Sequence, residues 1–327
     1  MNFQCKNCGG NMVFDPDSGK MHCEHCGGFD CETQRGDRSV TVCASCGGEI
    51  SAEANVSATK CPYCGNHLVF DERVEGSYEP EEIMPFTVSK NKAIELMKKT
   101  FKKRTFAPKG FLSSLSFREL KGNYVPFFLY DYDTMTDFDG VGTKVKTWTK
   151  GNTEYTETSY YRILRKMQAK FSKVPADATF LADDKMDLLE PFAYERLVKF
   201  MPKFMSGFEG YIYDFPSSTY EPRIKGKISN DISSLLRNSY SEFSGVRADV
   251  LETDFGETKS EYALLPVWTY FYKFGDKTYD IYVNGVTGKV VGKAPVSKKK
   301  VLGYSAFFGA MIWIIGQALL LLLEVIR

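Results

Sequence analysis

Cysteine is the residue type in this chain best suited to chemistry, and all nine cysteines lie between Cys5 and Cys64. Eight form four Cys-x-x-Cys pairs: Cys5 with Cys8, Cys23 with Cys26, Cys43 with Cys46, and Cys61 with Cys64. Fourteen residues separate the two pairs of each set, and the second set repeats the first 38 residues later. A tetrahedral divalent metal takes four thiolates at about 2.3 Å, and one tight backbone turn can present two of them. Two such turns joined by a hairpin close one site. Cys5, Cys8, Cys23 and Cys26 therefore read as one ligand set, and Cys43, Cys46, Cys61 and Cys64 as another. Glycine follows the second cysteine of every pair (Gly9, Gly27, Gly47, Gly65), where a chain turning beneath a metal needs positive φ. Two Zn2+ are the expected cofactors, with iron in a tetrathiolate site as the alternative. A disulfide framework fits less well, because the cysteine count is odd and the opening residues 1–7 lack the apolar stretch of a secretory signal. The thiols are expected to stay in a reducing compartment. Cys31 is left over and reads as a structural thiol, and His22, His25 and His67 read as residues flanking the turns.

The 260 residues after His67 contain neither Cys nor His, which removes those nucleophiles, bases and ligands from most of the chain. The paired acids Asp183 with Asp184, and Asp131 with Asp133, show no partner base in the sequence, so no enzyme is expected. Overall charge is balanced at +1. The first 80 residues carry six basic residues (Lys6, Lys20, Arg35, Arg38, Lys60, Arg73) against twelve acidic ones, and each metal with four thiolates adds two more negative charges. Such a module is a poor phosphate binder, so docking of protein is favoured over nucleic acid.

The elements that position these residues read as follows. Ribbons over 1–30 and 39–71 are followed by an acidic segment, 72–88, that carries Gly76, Pro80 and Pro85 and reads as a linker. Ser89 then caps an expected amphipathic helix with Ala93, Ile94, Met97 and Phe101 on one stripe. Its other faces are cationic: residues 90–109 hold eight basic residues and one acid. That face could rest on anionic lipid or serve a membrane-tethered nucleic-acid binder, although charge runs on helices are usually solvated faces.

The block Tyr124 to Tyr132 is echoed 140 residues later by Leu264 to Tyr272; both run apolar, apolar, Pro, and then apolar alternating with Tyr. A second helix is expected over Asn230 to Phe243, with Ile232, Leu235, Leu236, Ser239 and Phe243 on one face. Two tandem α+β units with antiparallel sheets follow, over 89–205 and 206–297. Thr143 to Ser172 reads as long half-exposed strands about a Lys150-Gly151-Asn152 turn, and Tyr279 to Val291 as a hairpin about Asn284-Gly285. The Gly285-x-x-Gly288-Lys289 run is not a phosphate loop, since it lacks the spacing, the Ser or Thr, and the following helix. The tyrosines, Trp148 and Trp268 read as sheet core and cross-strand pairs rather than a base-stacking platform.

Val301 to Leu323 is a run of 23 residues without a charge, about 34 Å as a helix, and reads as one transmembrane helix. Lys298, Lys299 and Lys300 precede it, which puts the N-terminal bulk in the cytoplasm and makes the run a tail anchor. Ser305, Ala306, Gly309, Ala310 and Gly316 offer a small-residue face suited to self-association in the membrane. The sequence as a whole is multidomain: two small β zinc ribbons, two α+β units and one membrane helix.

The knuckles, Gly122-Asn123-Tyr124-Val125-Pro126-Phe127, Phe204-Met205-Ser206-Gly207-Phe208, Asn284-Gly285-Val286-Thr287-Gly288-Lys289 and Pro295-Val296-Ser297-Lys298-Lys299-Lys300 together resemble a known family. It is that of bacterial membrane-anchored double zinc-ribbon proteins, often described as TFIIB-type zinc ribbon-containing. The resemblance covers nearly all of the chain. It implies a scaffold that brings phage-shock protein A-like or SPFH-like partners to the cytoplasmic membrane face during envelope stress. Some relatives have two spans where this sequence shows one, and a helicase designation sometimes applied to them finds no P-loop here.

Overall fold

The computed structural model describes residues 1–35, 42–108, 111, 117–179, 183–256 and 258–326. Arg38 and Lys109 lie outside the described residues, as do the side chains of Asp183 and Asp184. The chain opens with β1 (Asn2–Cys5), β2 (Met12–Asp15), β3 (Lys20–Cys23) and β4 (Glu32–Arg35), paired β1 with β4 and β2 with β3. The second ribbon supplies β5 (Val56–Lys60) and β6 (His67–Val69). The body follows with β7 (Glu82–Ile83), α1 (Lys90–Lys102), β8 (Lys121–Lys150), β9 (Thr153–Asp177), α2 (Asp183–Leu189), β10 (Val198–Lys199) and β11 (Glu209–Tyr211). It is completed by α3 (Glu221–Ser239), β12 (Gly245–Asp254), β13 (Thr258–Phe274), β14 (Lys277–Asn284), β15 (Val290–Gly292) and α4 (Lys298–Ile326).

Among the described residues, β5 to β15 form one eleven-stranded sheet, so the two α+β units share a sheet instead of each closing its own. The repeated blocks are its centre. Strands β8 and β13 pair antiparallel with Val125 opposite Leu265, Pro126 opposite Leu264, and Tyr124 opposite Pro266, an arrangement with approximate two-fold symmetry. The symmetry extends outward: β7, from before the first helix, runs parallel to β13 at Ala263 and Leu264, and β11, from before the second, runs parallel to β8 at Asn123 and Tyr124. These two short parallel pairings are where the sheet departs from the expected antiparallel pattern.

The prolines mark a change of neighbour. Strand β8 pairs with β11 up to Tyr124 and with β9 from Phe127; β13 pairs with β7 up to Leu264 and with β14 from Val267. The Pro126 carbonyl accepts the Ala178 N–H and the Pro266 carbonyl the Gly285 N–H, both at 2.9 Å, so each proline's backbone points into the gap between successive partners. No ladder bond is lost there, and a residue normally confined to edges sits in a central strand.

Alternate residues of these strands are buried on both faces, which explains the near-continuous apolar runs. Tyr124, Phe128, Tyr130, Tyr132, Leu264, Trp268 and Tyr270 join the core shared with α1, α3 and the first ribbon. Val125, Phe127, Leu129, Leu265 and Val267 face the opposite way, with Met186, Leu189 and Phe192. Helix α1 buries Ala93, Met97 and Phe101, as the spacing predicts, with Ile94 partly buried; Ser89 occupies the N-cap position, but its side chain makes no capping hydrogen bond. Helix α3 starts earlier than the sequence reading, with Pro222 in its first turn, and buries Ile224, Ile228, Ile232 and Leu236. Leu235 is exposed and Phe243 falls beyond the helix, because the buried i, i+4 row begins at Ile224, two turns before Ile232, and ends at Leu236.

Residues 72–88 differ from the expected linker. Val74, Ile83, Met84, Phe86 and Val88 are buried, and β7 lies in the sheet. Their spacing follows no single period because they bury against several surfaces, so a periodicity test does not find them. The Asn284-Gly285 turn also differs: the loop is longer, closed by Asn284 N–H to Lys289 O and Gly288 N–H to Asn284 O, with Gly288 at φ +72°. Gly285 instead lies where a Cβ would meet Phe86 and Pro266 at 2.7 Å, and its carbonyl accepts the N–H groups of Thr87 and Val88 at the entry to α1.

The β8–β9 hairpin turns at Gly151 and Asn152, with Gly151 at φ +64°. Strand β12 accompanies it only as far as Thr143, so the tip is a two-stranded ribbon on which Trp148 and Tyr155 stack across the strands at 5.8 Å. Trp268 is buried and donates its indole N–H to Val88 O, which makes it core. Asp131 accepts bonds from Ser172 Oγ and Lys173 N–H, and Asp133 pairs with Lys170, so these acids tie β8 to β9. Helix α4, over Lys298–Ala318, is long and apolar enough to cross a membrane, and none of that stretch is packed inside the protein.

Candidate metal centres

The four knuckles are built alike. In each, the N–H of the glycine after the second cysteine donates to the carbonyl of the first: Gly9 to Cys5, Gly27 to Cys23, Gly47 to Cys43 and Gly65 to Cys61, at 2.9 to 3.0 Å. The first cysteine's N–H returns the bond to the carbonyl five residues on, Gly10, Gly28, Gly48 or Asn66. All four glycines take φ between +72° and +76°, a conformation that a side chain resists. The four turns therefore present their sulfurs in the same way.

Hairpins bring the turns together in pairs. Cys5, Cys8, Cys23 and Cys26 form one group and Cys43, Cys46, Cys61 and Cys64 another, each with its sulfurs within 4.8 Å of one another. The cross-hairpin distances are 3.7 Å for Cys5 to Cys26, 3.6 Å for Cys8 to Cys23, 3.7 Å for Cys43 to Cys64 and 3.9 Å for Cys46 to Cys61. A tetrahedral centre with metal–sulfur bonds of about 2.3 Å separates its sulfurs by about 3.8 Å. Each group thus fits one tetrahedral metal ion, and all eight cysteines read as ligands in the sequence are brought together as expected.

The electrostatics fit the same donor set. The Cys31 thiol beside Cys5 brings Cys5 down to about 6. The Cys26 N–H, with help from the His25 N–H, lowers Cys23 against the cost of burial. Burial opposes ionisation of Cys61, but the N–H groups of Cys64 and Tyr63 prevail and bring it to about 7. Cys64 is held up to about 12 by partial desolvation of its sulfur and by the neighbouring sulfurs of Cys46, Cys61 and Cys43. Four thiolates this close repel one another, and a divalent cation removes that repulsion while deprotonating the last thiols. In each group two cysteines are buried and two, Cys8 with Cys26 and Cys46 with Cys64, are exposed. Beside them Phe29 and Tyr63 present large apolar side chains to solvent, 50% and 69% exposed.

The sequence reading set Cys31 apart, but its sulfur lies 3.2 Å from Cys5 Sγ and 4.0 Å from Met12 Sδ. The 38-residue repeat places Val69 where the second ribbon would need an equivalent, so no repeated signal could reveal it. The histidines stay outside both groups, as expected. The His22 ring packs on Phe29 at 4.9 Å, and His67 is buried enough that its imidazole falls to about 4 and is neutral at pH 7.

The centres are held firmly to the body. Strand β5 pairs with β11, which carries the second ribbon into the main sheet. Around the first ribbon, Ser206 Oγ donates to Met12 O at 2.6 Å, Phe14 N–H donates to Ser206 O at 2.8 Å, and the Phe14 and Phe204 rings meet edge to face at 5.1 Å. Gly207, at φ +101°, passes so close that a Cβ would lie 3.0 Å from Val13. The Phe204–Phe208 block is thus the seat of the first ribbon. Asn2 Nδ2 and Asn66 Nδ2 both donate to Ser45 Oγ, which links the ribbons to each other.

No protein-family model matches the chain, and no solved structure matches it. It is similar to the uncharacterized protein YdjG of Bacillus subtilis strain 168, 31% identical over 316 residues that cover 93% of each chain.

Proposed function

The chain belongs to the family of Bacillus subtilis YdjG, and we propose that it is a membrane-anchored, non-enzymatic adaptor whose two Zn2+ ribbons recruit a soluble protein to the membrane surface. The observation that carries this reading is the ribbons' posture. They are fixed to the body by a shared sheet on one side and by the Phe204–Phe208 seat on the other, with the exposed knuckle cysteines, Phe29 and Tyr63 facing solvent. A rigid platform with exposed apolar side chains in an acidic setting suits a protein partner and repels phosphate. Zinc is favoured over iron because tetrathiolate sites of this spacing, structural and closed, are its common use.

Helix α4 is proposed as the anchor, with Lys298, Lys299 and Lys300 holding the bulk of the chain on the cytoplasmic side. Confining a weakly bound partner beside one surface raises its effective concentration without new contacts. By family resemblance the partner is a phage-shock protein A-like or SPFH-like protein. The test is affinity capture of the full-length protein from gently solubilised membranes, with and without nuclease, beside an F29S/Y63S variant. A small nuclease-resistant set of proteins lost in the variant supports the adaptor. Nucleic acid recovered equally by both forms, with no reproducible protein, overturns it.

A further inference from the structure

Residues far apart in sequence build a cationic cleft where the body meets α4. The loop that ends α1 and the segment leading into α4 are tied together: Ser297 N–H donates to Phe106 O at 2.8 Å, and Lys300 Nζ donates to the carbonyls of Thr105 and Ala107 at 3.2 and 2.7 Å. The Phe106 ring meets Tyr304, in the first turns of α4, edge to face at 5.4 Å. Between the two segments lies a cleft of about 450 Å³ lined by Lys103, Arg104, Phe106, Lys293, Pro295 and Val296 among its residues. Lys103, Arg104 and Lys293 are exposed, Phe106 and Val296 present apolar surface beside them, and no acidic residue occurs in 96–118 or 281–323.

We propose that this cleft binds the phosphodiester headgroup of an anionic phospholipid. The inference rests on the reading of α4 as the membrane anchor. The cleft lies at the start of α4, at headgroup level if the helix spans. There its three exposed cations meet a phosphodiester, while Phe106, Val296 and Tyr304 meet the upper acyl chains, a division of labour suited to the interface. Lys300 spends its charge on backbone carbonyls and so fixes the cleft's shape, leaving Lys103, Arg104 and Lys293 for the ligand. The cationic end of α1, which by sequence alone reads as a solvated face, thereby becomes the lower rim of a lipid site.

The test uses the full chain reconstituted in nanodiscs of equal phosphatidylglycerol and phosphatidylcholine, released and weighed with its retained lipids by native mass spectrometry. The wild type is expected to retain phosphatidylglycerol severalfold over phosphatidylcholine. A K103Q/R104Q/K293Q variant should lose at least about tenfold in that preference, since each basic residue at a membrane surface is worth about a fivefold factor. A K144Q/K146Q/K150Q variant, with the same charge change at the hairpin tip, should keep it. Equal retention of both lipids by the wild type, or equal loss in both variants, overturns the proposal, and so does displacement of the lipid by modest inorganic phosphate, which would make the ligand a free phosphate. Alkaline extraction of the same proteoliposomes reads insertion separately. A chain that stays inserted without lipid preference sinks the cleft and leaves the anchor standing, whereas a chain that washes off sinks both.

Discussion

The two ribbons share one knuckle chemistry and differ in how they are joined to the rest of the molecule. The second is continuous with the main sheet through the β5–β11 pairing, whereas the strands of the first pair only with one another, and it is held by the Phe204–Phe208 block and by bonds from Met1 to Val69 and Asp71 and from Asn2 to Ser45 of the second ribbon. The first has a fifth sulfur at hand in Cys31, and the second has none in the corresponding place. Identical ligand spacing therefore does not make the sites equivalent: loss of metal from the second should be felt across the sheet, and loss from the first should stay local.

The largest expected effect tests that directly. Cys61→Ser should remove one of two bound metals and cost the main sheet more than about 4 kcal/mol of protection in hydrogen exchange, a fraction of the roughly 10–16 kcal/mol that a structural zinc supplies. Cys23→Ser should remove one metal while the amides of β8 and β13 keep their protection. Cys5→Ser should retain much of its metal, because Cys31 can take the vacated position; equal metal loss in all three variants would erase the distinction between the ribbons.

Next in size is the response to acid. His67, at the edge of the second ribbon, is held at about 4 by burial, against about 6.5 when unfolded. The unfolded chain takes up the proton first, so the stability is fully present above pH 6.5 and declines as pH falls toward 4, by up to about 3 kcal/mol. Denaturant titrations between pH 7 and 5 should show this slope in the wild type and a flatter one in His67→Phe.

Smaller effects separate the attachments. A Cβ at position 210 would lie 2.4 Å from Met205 Cε and 2.8 Å from Ser57 Oγ, so Gly210→Ala should cost about 1–3 kcal/mol and loosen the second ribbon together with the sheet. Ser206→Ala removes the bond to Met12 O and should cost about 1 kcal/mol, seen as faster exchange in β2 and β3 alone. A global change from Ser206→Ala would mean that the first ribbon is coupled as tightly as the second.

The metal sites were legible because they are local. The Cys-x-x-Cys spacing, the glycine after each pair and the 38-residue repeat state the knuckle geometry in consecutive residues, and the α1 stripe was legible for the same reason. The short strands were not: β11, which joins the second ribbon to the body, and β7 and β10 at the far side of the sheet are two or three residues long and owe their existence to partners far away in sequence. The Tyr124 and Leu264 blocks announced a repeat but not that the two copies lie side by side. Cys31 and the cleft between Arg104 and Lys293 arise only when distant segments meet, and no periodic pattern marks them.

The exchange of β7 and β11 between the two halves has a consequence for how this molecule can come into being. Each half lends its short strand to the other's long one, and the pair at the centre, Val125 with Leu265, joins residues 140 positions apart. Neither half can close its own sheet, so the body behaves as an intertwined dimer whose two subunits happen to be linked in one polypeptide. Its geometry is that of an isologous pair about a two-fold axis. Assembly must wait for the second half to be synthesised, and contacts of such high sequence separation form slowly. A chain cut between the halves would be expected to recover its fold only by finding the missing half in solution, as two strangers completing one another's edges.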